Sequence, residues 1–488
     1  MLQRLTHLLR HVLIYGMGDV ATSLVSLLLL PIFTRYLSPV EYGIITMLLV
    51  IEALTKVLFR WGVDTAFMRL YYDCTTERAR QTLASTIFFF LVAVNGSLVA
   101  LGVTASGWLG ARLFDDASAG WYIALTIANT FVSGLFFLPY QVLRIQERST
   151  AYIALTSTRS AGTIVARLVL VIGAGMGVAG IVLADVLVTT MMALILSPWF
   201  AKLIRPVFSR AVLREALAFG APRIPHSFAQ QVIGAADRFF LNRFAALAEV
   251  GIYSIGATFG LALKLFLGAF EAAWTPFFLR VMREPDATRT FRIVSTYVVA
   301  ALVLLVTGVC ALATDVVRLF AAPAFHTAAR VTPWIAIGVL FQGLYIVGSI
   351  GLVITKRTKA YPVATGIAAA TSVAANLLLV PRFGMLGAAW ATAISYAVLA
   401  AVTCAFSWRA YPIPYEWSRL ARVAVAGLAA WAVAAYVVPA IDSAIAGLLV
   451  RGVVTTAVYL ASLYLTGFLH AGELRRVREV IERVRPRS

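Results

Sequence analysis

Long apolar runs recur from one end of this chain to the other, and they constrain its fold more than any other feature. A helix crossing the hydrocarbon core of a bilayer needs about 20 largely apolar residues. Fourteen such stretches lie near 12–33, 42–63, 83–105, 121–143, 152–174, 177–200, 216–240, 249–271, 293–313, 331–354, 361–381, 385–407, 420–440 and 443–468. The tightest expected breaks are at 174/177 and 381/385. The runs are continuous rather than alternating, which excludes the strands of a membrane barrel. Composition agrees: 61% of the 488 residues are apolar and 13% are charged, against roughly 25% charged in an ordinary soluble protein. The sequence therefore predicts an all-α integral membrane protein of about fourteen spans. It excludes a soluble globule and a disordered chain. Cys74, Cys310 and Cys404 are scattered, and the five histidines never take zinc spacing, so neither a disulfide framework nor a metal site is expected.

The net charge of +19 would suggest nucleic acid in a soluble chain. In a multi-span protein the basic residues instead report orientation. With the N-terminus inside, inside segments hold 27 Lys and Arg residues and outside segments hold seven: Arg35, Arg112, Arg243, Arg318, Arg330, Arg382 and Arg451. Both termini are thus expected in the cytoplasm, and no nucleic-acid partner is expected. No small-residue cleavage pattern follows the basic start, so no removable leader is expected. The segment 473–488 spaces Leu474, Val477, Ile481 and Val484 helically among arginines, as an amphipathic anchor on an anionic leaflet would.

An internal repeat organises the chain. Arg35, Glu41, Gly43 and Ile44 recur as Arg243, Glu249, Gly251 and Ile252, at an offset of 208, and Lys56 lands on Lys264. Gly177 and Gly180 recur as Gly384 and Gly387, at 207. Six spans separate the equivalents, so the halves share one orientation about an axis along the membrane normal. The expected organisation is two six-helix bundles, 1–205 and 206–410, enclosing a central cleft. Two further spans and the basic tail follow over 411–488.

Ionisable residues inside spans are costly and mark function or pairing. The bases are Lys56, Arg60, Arg159, Arg167, Arg223, Arg238 and Lys264. The acids in or at the edges of spans are Asp19, Glu52, Asp64, Asp185, Asp237 and Glu271, and His226 joins them. Glu52 precedes Lys56 by four residues, a favourable helical pair. Asp237 beside Arg238 reads as a pair at a membrane interface. Lys56, Arg60, Arg223 and Lys264 stand out as a cationic cleft suited to an anionic head group, because Arg offers forked donors to phosphate. Arg223 sits between Pro222 and Pro225, where a broken helix frees backbone groups that need a lined cavity. Asp19 reads either as the partner of a base or as an H⁺ or Na⁺ coupling site. Glu52, Arg159, Arg167, Asp185 and His226 are supporting candidates.

Three segments resemble a known family. Leu29-Leu30-Pro31-Ile-Phe-Thr-Arg35-Tyr-Leu-Ser-Pro39-Val-Glu41-Tyr42-Gly43 is similar to the N-terminal signature of the Wzx-type O-antigen and capsular polysaccharide flippases. Asp237-Arg238-Phe-Phe-Leu followed by Glu249-Val-Gly251-Ile-Tyr253-Ser resembles their seventh-to-eighth span region. Asn376-Leu-Leu-Leu-Val-Pro381-Arg-Phe-Gly384-Met-Leu-Gly387 resembles their late glycine-rich motif. The resemblance implies a MATE-like fold and carriage of undecaprenyl-pyrophosphate-linked oligosaccharides across the bacterial cytoplasmic membrane. It also implies kinship with lipid II flippases, whose arginines lie on the first, second and eighth spans. Lys56, Arg60, Arg223 and Lys264 are the matching features, whereas the first span carries Asp19 instead of arginine. The expected partners are the lipid-linked oligosaccharide, membrane lipids, a polysaccharide polymerase and glycosyltransferases. No cofactor is expected: Gly173-Ala-Gly175-Met-Gly177 lacks the strand, helix and Lys of a phosphate loop. Drive would come from an H⁺ or Na⁺ gradient or the membrane potential. The alternatives are a small-molecule cation antiporter, or a membrane polymerase or acyltransferase with His226 as its base.

Overall fold

The computed structural model describes residues 29–439 and 441–469. Asp19, most of the expected first span and the expected tail helix lie outside the described residues. Every element within them is a helix. The principal ones are α1 (Pro39–Arg60), α2 (Val63–Asp73), α3 (Glu77–Thr104), α4 (Gly120–Leu135), α5 (Phe137–Ile145), α6 (Ser149–Arg167) and α7 (Gly177–Leu203). There follow α8 (Arg210–Gly220), α9 (Ile224–Phe244), α10 (Leu247–Leu261), α11 (Leu263–Val281), α12 (Ala287–Phe320), α13 (Thr332–Gly348), α14 (Ala360–Ala410), α15 (Trp417–Ala432) and α16 (Ala444–Leu465). The described residues form two compact units: 29–255 with 361–392, and 256–360 with 393–439 and 441–469.

Eleven helical segments among the described residues are long and apolar enough to cross a membrane; most of the expected first span lies outside them, and Ala360–Ala410 counts once although two expected spans fall within it. The stretch expected over 216–240 is divided by a tight turn at Ala221–Arg223, and α9 carries too much polar surface to qualify on apolarity. The break expected between 174 and 177 is present, because Gly175 and Gly177 take φ of +65° and +53°. α14 is interrupted at Gly384, with φ +52° and ψ −131°. A Cβ on Gly387 would overlap the carbonyl of Leu379, although eight residues of straight helix span about 12 Å. The chain therefore turns back on itself at the expected 381/385 break.

The first unit contains a symmetric crossing. Ser38 caps α1 through a reciprocal box with Glu41, and Pro39 occupies the first turn, where its missing N–H costs nothing. One turn in, a Cβ on Gly43 would overlap the carbonyl oxygen of Leu247 at the start of α10. Conversely, a Cβ on Gly251 would overlap the carbonyl oxygen of Pro39. Pro39 is the repeat equivalent of Leu247, and Gly43 of Gly251. The contact is thus self-complementary, as at a two-fold axis. Two loop contacts obey the same relation. Glu41 abuts Gly177, and Glu249 Oε2 would lie 2.7 Å from a Cβ on Gly384. Glu249 also accepts the Met385 backbone N–H at 3.3 Å. The offset of 207–208 residues is therefore a repeat of contacts as well as of letters.

In the second unit, α15 and α16 pack on α12 through Val299, Ala300, Val423, Ala426, Ala430, Tyr459 and Leu463. Asp315 of α12 is 1% exposed and is bound by Arg451 of α16 at 2.8 Å. Gly447 lets α16 approach closely there, since a Cβ would come 2.7 Å from the Asp315 carboxylate. Buried Arg419 of α15 binds Glu416 at 3.0 Å, and its guanidinium lies 4.4 Å from the Phe468 ring. The outward face of α16 presents Leu449, Val453, Leu460 and Tyr464, which an apolar solvent accommodates and water does not.

Two outcomes are expected from this packing. Gly43→Val and Gly251→Val should each destabilise the purified protein by about 1–3 kcal/mol or more, as overpacked cores do, seen as a lower melting temperature in detergent. Arg451→Met leaves a buried carboxylate without its cation and should cost about 3–5 kcal/mol. The double variant Arg451→Met with Asp315→Leu should recover most of that loss in the same melting experiment.

Candidate functional site

The helix that begins at Pro39 ends at a local strain. Trp61 and Gly62 take φ of +49° and +68°. Gly accepts this region freely, whereas Trp61 pays about 1–3 kcal/mol for it. Gly62 also meets Gly220 of α8 so closely that neither tolerates a Cβ. Ending α1 frees its last carbonyls, and in an apolar surrounding they need internal partners. Asn95 of α3, only 2% exposed, meets this need. Its Nδ2 donates to the Phe59 carbonyl at 2.8 Å, and its Oδ1 accepts from Trp61 Nε1 at 2.9 Å.

Beside this break lies a cavity of about 170 Å³, enough for a cluster of waters or a small polyanion. Its wall carries Lys56, Arg60 and Asp64 from the broken segment, Asn95 from α3, Tyr140 from α5 and Arg159 from α6. Lys56 pairs with Glu52 one turn back, and Arg60 Nη1 lies 3.6 Å from Asp64 Oδ2. The Lys56 and Arg60 side chains are 44% and 57% exposed, so each pair is held weakly. Arg159 forms no ion pair among the described residues. It faces the Tyr140 hydroxyl and lies 6.0 Å from the Phe136 ring. The wall thus offers three bases against one acid, a surface that receives anions.

The other residues singled out in the sequence are placed differently. Arg167 and Asp185 form a two-pronged pair at 3.0 and 2.8 Å, a strut joining α6 to α7. His226 Nδ1 lies 3.0 Å from Thr365 Oγ1. Arg223 lies in the turn before α9, and its side chain is outside the described atoms. Lys264, in the second unit, donates to the Tyr396 hydroxyl at 3.4 Å and sits 5.5 Å over that ring. Asp237 is paired with Arg238 at 3.2 Å as expected, but it is not at a surface. It is 3% exposed and also accepts hydrogen bonds from Tyr253 and, at 3.3 Å, from Thr392.

Asn95, Asp64 and Tyr140 belong to the site and were not singled out as site residues from the sequence. Asn95 carried a usable signal, an amide in the middle of an apolar run, which is costly in a membrane unless partnered. Asp64, expected in or at the edge of a span, lies in the first turn of α2, just past a break at Trp61 and Gly62 that no proline announces.

A family model described as polysaccharide biosynthesis protein matches residues 32–330. No curated protein matches the chain. Among solved structures, the chain resembles the lipid II flippase MurJ in an inward closed conformation, with a TM-score of 0.74 at 16% identity, covering 93% of this chain and 98% of that one. It also resembles a multidrug resistance MATE family transporter of the MOP superfamily. The inward-facing form gives a TM-score of 0.59 at 14% identity, over 84% of this chain and 99% of that one. The outward-facing form gives 0.52 at 16% identity, over 85% and 94%. At these identities the likeness is one of fold. With its apolar helices, the chain is a multi-pass membrane protein of that fold.

Asn95→Ala leaves the Phe59 carbonyl and the Trp61 indole N–H without their partner. It should cost about 1–3 kcal/mol for each buried group left unpaired, read as a lower melting temperature. Asn95→Asp, which sets a buried carboxylate against the Phe59 carbonyl, should lower the melting temperature at least as far.

Proposed function

The chain belongs to the polysaccharide biosynthesis protein family, and from that premise we propose that it is a flippase for a lipid-linked oligosaccharide. The proposed substrate is an undecaprenyl-pyrophosphate-linked glycan. It is carried by alternating access from the inner to the outer face of the bacterial cytoplasmic membrane, for surface polysaccharide assembly. The observation that carries this reading is the cavity walled by Lys56, Arg60 and Arg159. A pyrophosphate linkage brings phosphate oxygens, and guanidinium groups meet them with paired, charge-assisted hydrogen bonds. The sugars travel wet, and the isoprenoid tail stays in lipid.

No bond is made or broken in this reading, so the protein acts as a transporter and not as an enzyme. Drive comes from an H⁺ or Na⁺ gradient or from the membrane potential, which acts on every charge moved. Glycosyltransferases supply the substrate and a polymerase receives it. Both termini lie in the cytoplasm, in keeping with the distribution of Lys and Arg. Arg223 and Lys264 stay in the proposal as further cationic contacts of the head group. Antiport of a cationic drug is disfavoured, because the drug would meet like charge along this wall.

Replacing Lys56 and Arg60 together by Ala should abolish surface polysaccharide while the protein remains in the membrane at its usual level. The lipid-linked oligosaccharide should accumulate on the cytosolic leaflet, measured by extraction and mass spectrometry. Polysaccharide at the wild-type level would overturn the reading.

A further inference from the structure

Four ionisable residues follow one another at four-residue steps: Glu52, Lys56, Arg60 and Asp64. Glu52, Lys56 and Arg60 share one face of α1, and Asp64 stands past the break, in the first turn of α2, where it still reaches Arg60. The order is acid, base, base, acid, and each base is paired with the acid on its own outer side. The broken segment therefore carries two cations into the cavity wall and neutralises both from within. Arg159, on a different helix, has no carboxylate companion among the described residues, and it faces the Phe136 ring and the Tyr140 hydroxyl. A half-buried guanidinium without a carboxylate offers its forked donors to an incoming anion.

We infer that Glu52 and Asp64 are internal counter-ions, stand-ins for the substrate's anionic head group, and that Arg159 is the cation the arriving head group meets first. The inference rests on the flippase reading above and deepens it. Carboxylate and phosphate oxygens are both acceptors for the same Lys and Arg donors. Once the head group is held by Arg159, its remaining oxygens compete with Glu52 for Lys56 and with Asp64 for Arg60. Both pairs are strongly exposed on the cation's side, so exchanging one acceptor for another is cheap. The reverse exchange ejects the substrate: the carboxylates return to their cations and the head group is left with Arg159 alone. A carrier must bind firmly enough to load and weakly enough to unload, and a built-in competitor sets that balance. The consequence is opposite in sign for the two kinds of residue. Removing the acids tightens binding, whereas removing Arg159 weakens it.

The test uses the full chain purified in detergent, with farnesyl pyrophosphate as probe and farnesol as its uncharged control, titrated by calorimetry. Glu52→Gln and Asp64→Asn should each tighten farnesyl pyrophosphate binding by about two- to fivefold, the factor a partly exposed ion pair represents. Arg159→Gln should weaken it by about tenfold or more, with partial recovery in Arg159→Lys, which keeps the charge but not the fork. In cells, the two acid variants should export less polysaccharide although they bind better, because unloading is slowed. A folded acid variant that binds more weakly than wild type overturns the inference, as does Arg159→Gln binding like wild type. Loss of folding in both acid variants also overturns it, since the carboxylates would then be structural. A wild-type protein that binds farnesyl pyrophosphate no better than farnesol overturns the flippase reading itself. If inorganic pyrophosphate displaces the probe at equal concentration, the exchange stands and the lipid-linked source does not.

Discussion

In a hydrocarbon solvent a polar group finds no water, so every interruption of a helix must bring its own hydrogen-bonding partners. The described helices are interrupted at a few points, and two of them show how the need is met. At Trp61 and Gly62, Asn95 takes up the Phe59 carbonyl and the indole N–H. At Gly384, Glu249 accepts the N–H of Met385. Both partners come from a distant part of the sequence. Each break therefore doubles as a tertiary contact, and a helix cannot be broken without fixing where another helix lies.

The same economy explains why the three signature segments are not those that line the cavity. Glu41, Gly43, Glu249, Gly251 and Gly384 build the reciprocal crossing of α1 on α10 and its two flanking loop contacts. Lys56, Arg60 and Arg159 lie apart from them, in a wall that the crossing helix α1 helps to position. Close backbone approach tolerates only glycine, so the crossing leaves a rigid signature in the sequence. A cationic wall tolerates Lys or Arg at several positions and leaves a diffuse one. Family membership here is read from packing, whereas the substrate must be argued from charge.

Much of the fold was legible for the same reason. The apolar runs marked helices, and the short gaps between them at 174/177 and 381/385 fall where Gly175, Gly177 and Gly384 take positive φ. The pairs Glu52–Lys56 and Asp237–Arg238 were legible because their members are neighbours in sequence. Partners distant in sequence were not. The contacts of Asp237 with Tyr253 and Thr392, and of Asp315 with Arg451, depend on which helix faces which. The site was half legible. Lys56 and Arg60 stood out as charges in an apolar span. Arg159 looked no different from Arg167 until the structure gave Arg167 a carboxylate at 2.8 Å and Arg159 none among the described residues.

That contrast bears on how a single fold can present cavity walls of unlike charge. The helices of this architecture position a cavity wall, and the wall's sign is set by a handful of side chains that packing does not constrain. Arg167 is spent on a strut to Asp185, so it contributes framework and no field. Lys56 and Arg60 are half committed, each to an acid of its own segment. Arg159 has no carboxylate partner among the described residues, and it gives the wall its net positive character. Exchanging such residues between paired and unpaired states alters what the cavity attracts without disturbing the glycine crossing that holds α1 and α10 together. The charge of the cavity can therefore diverge while the scaffold, and the sequence pattern that announces it, stays the same.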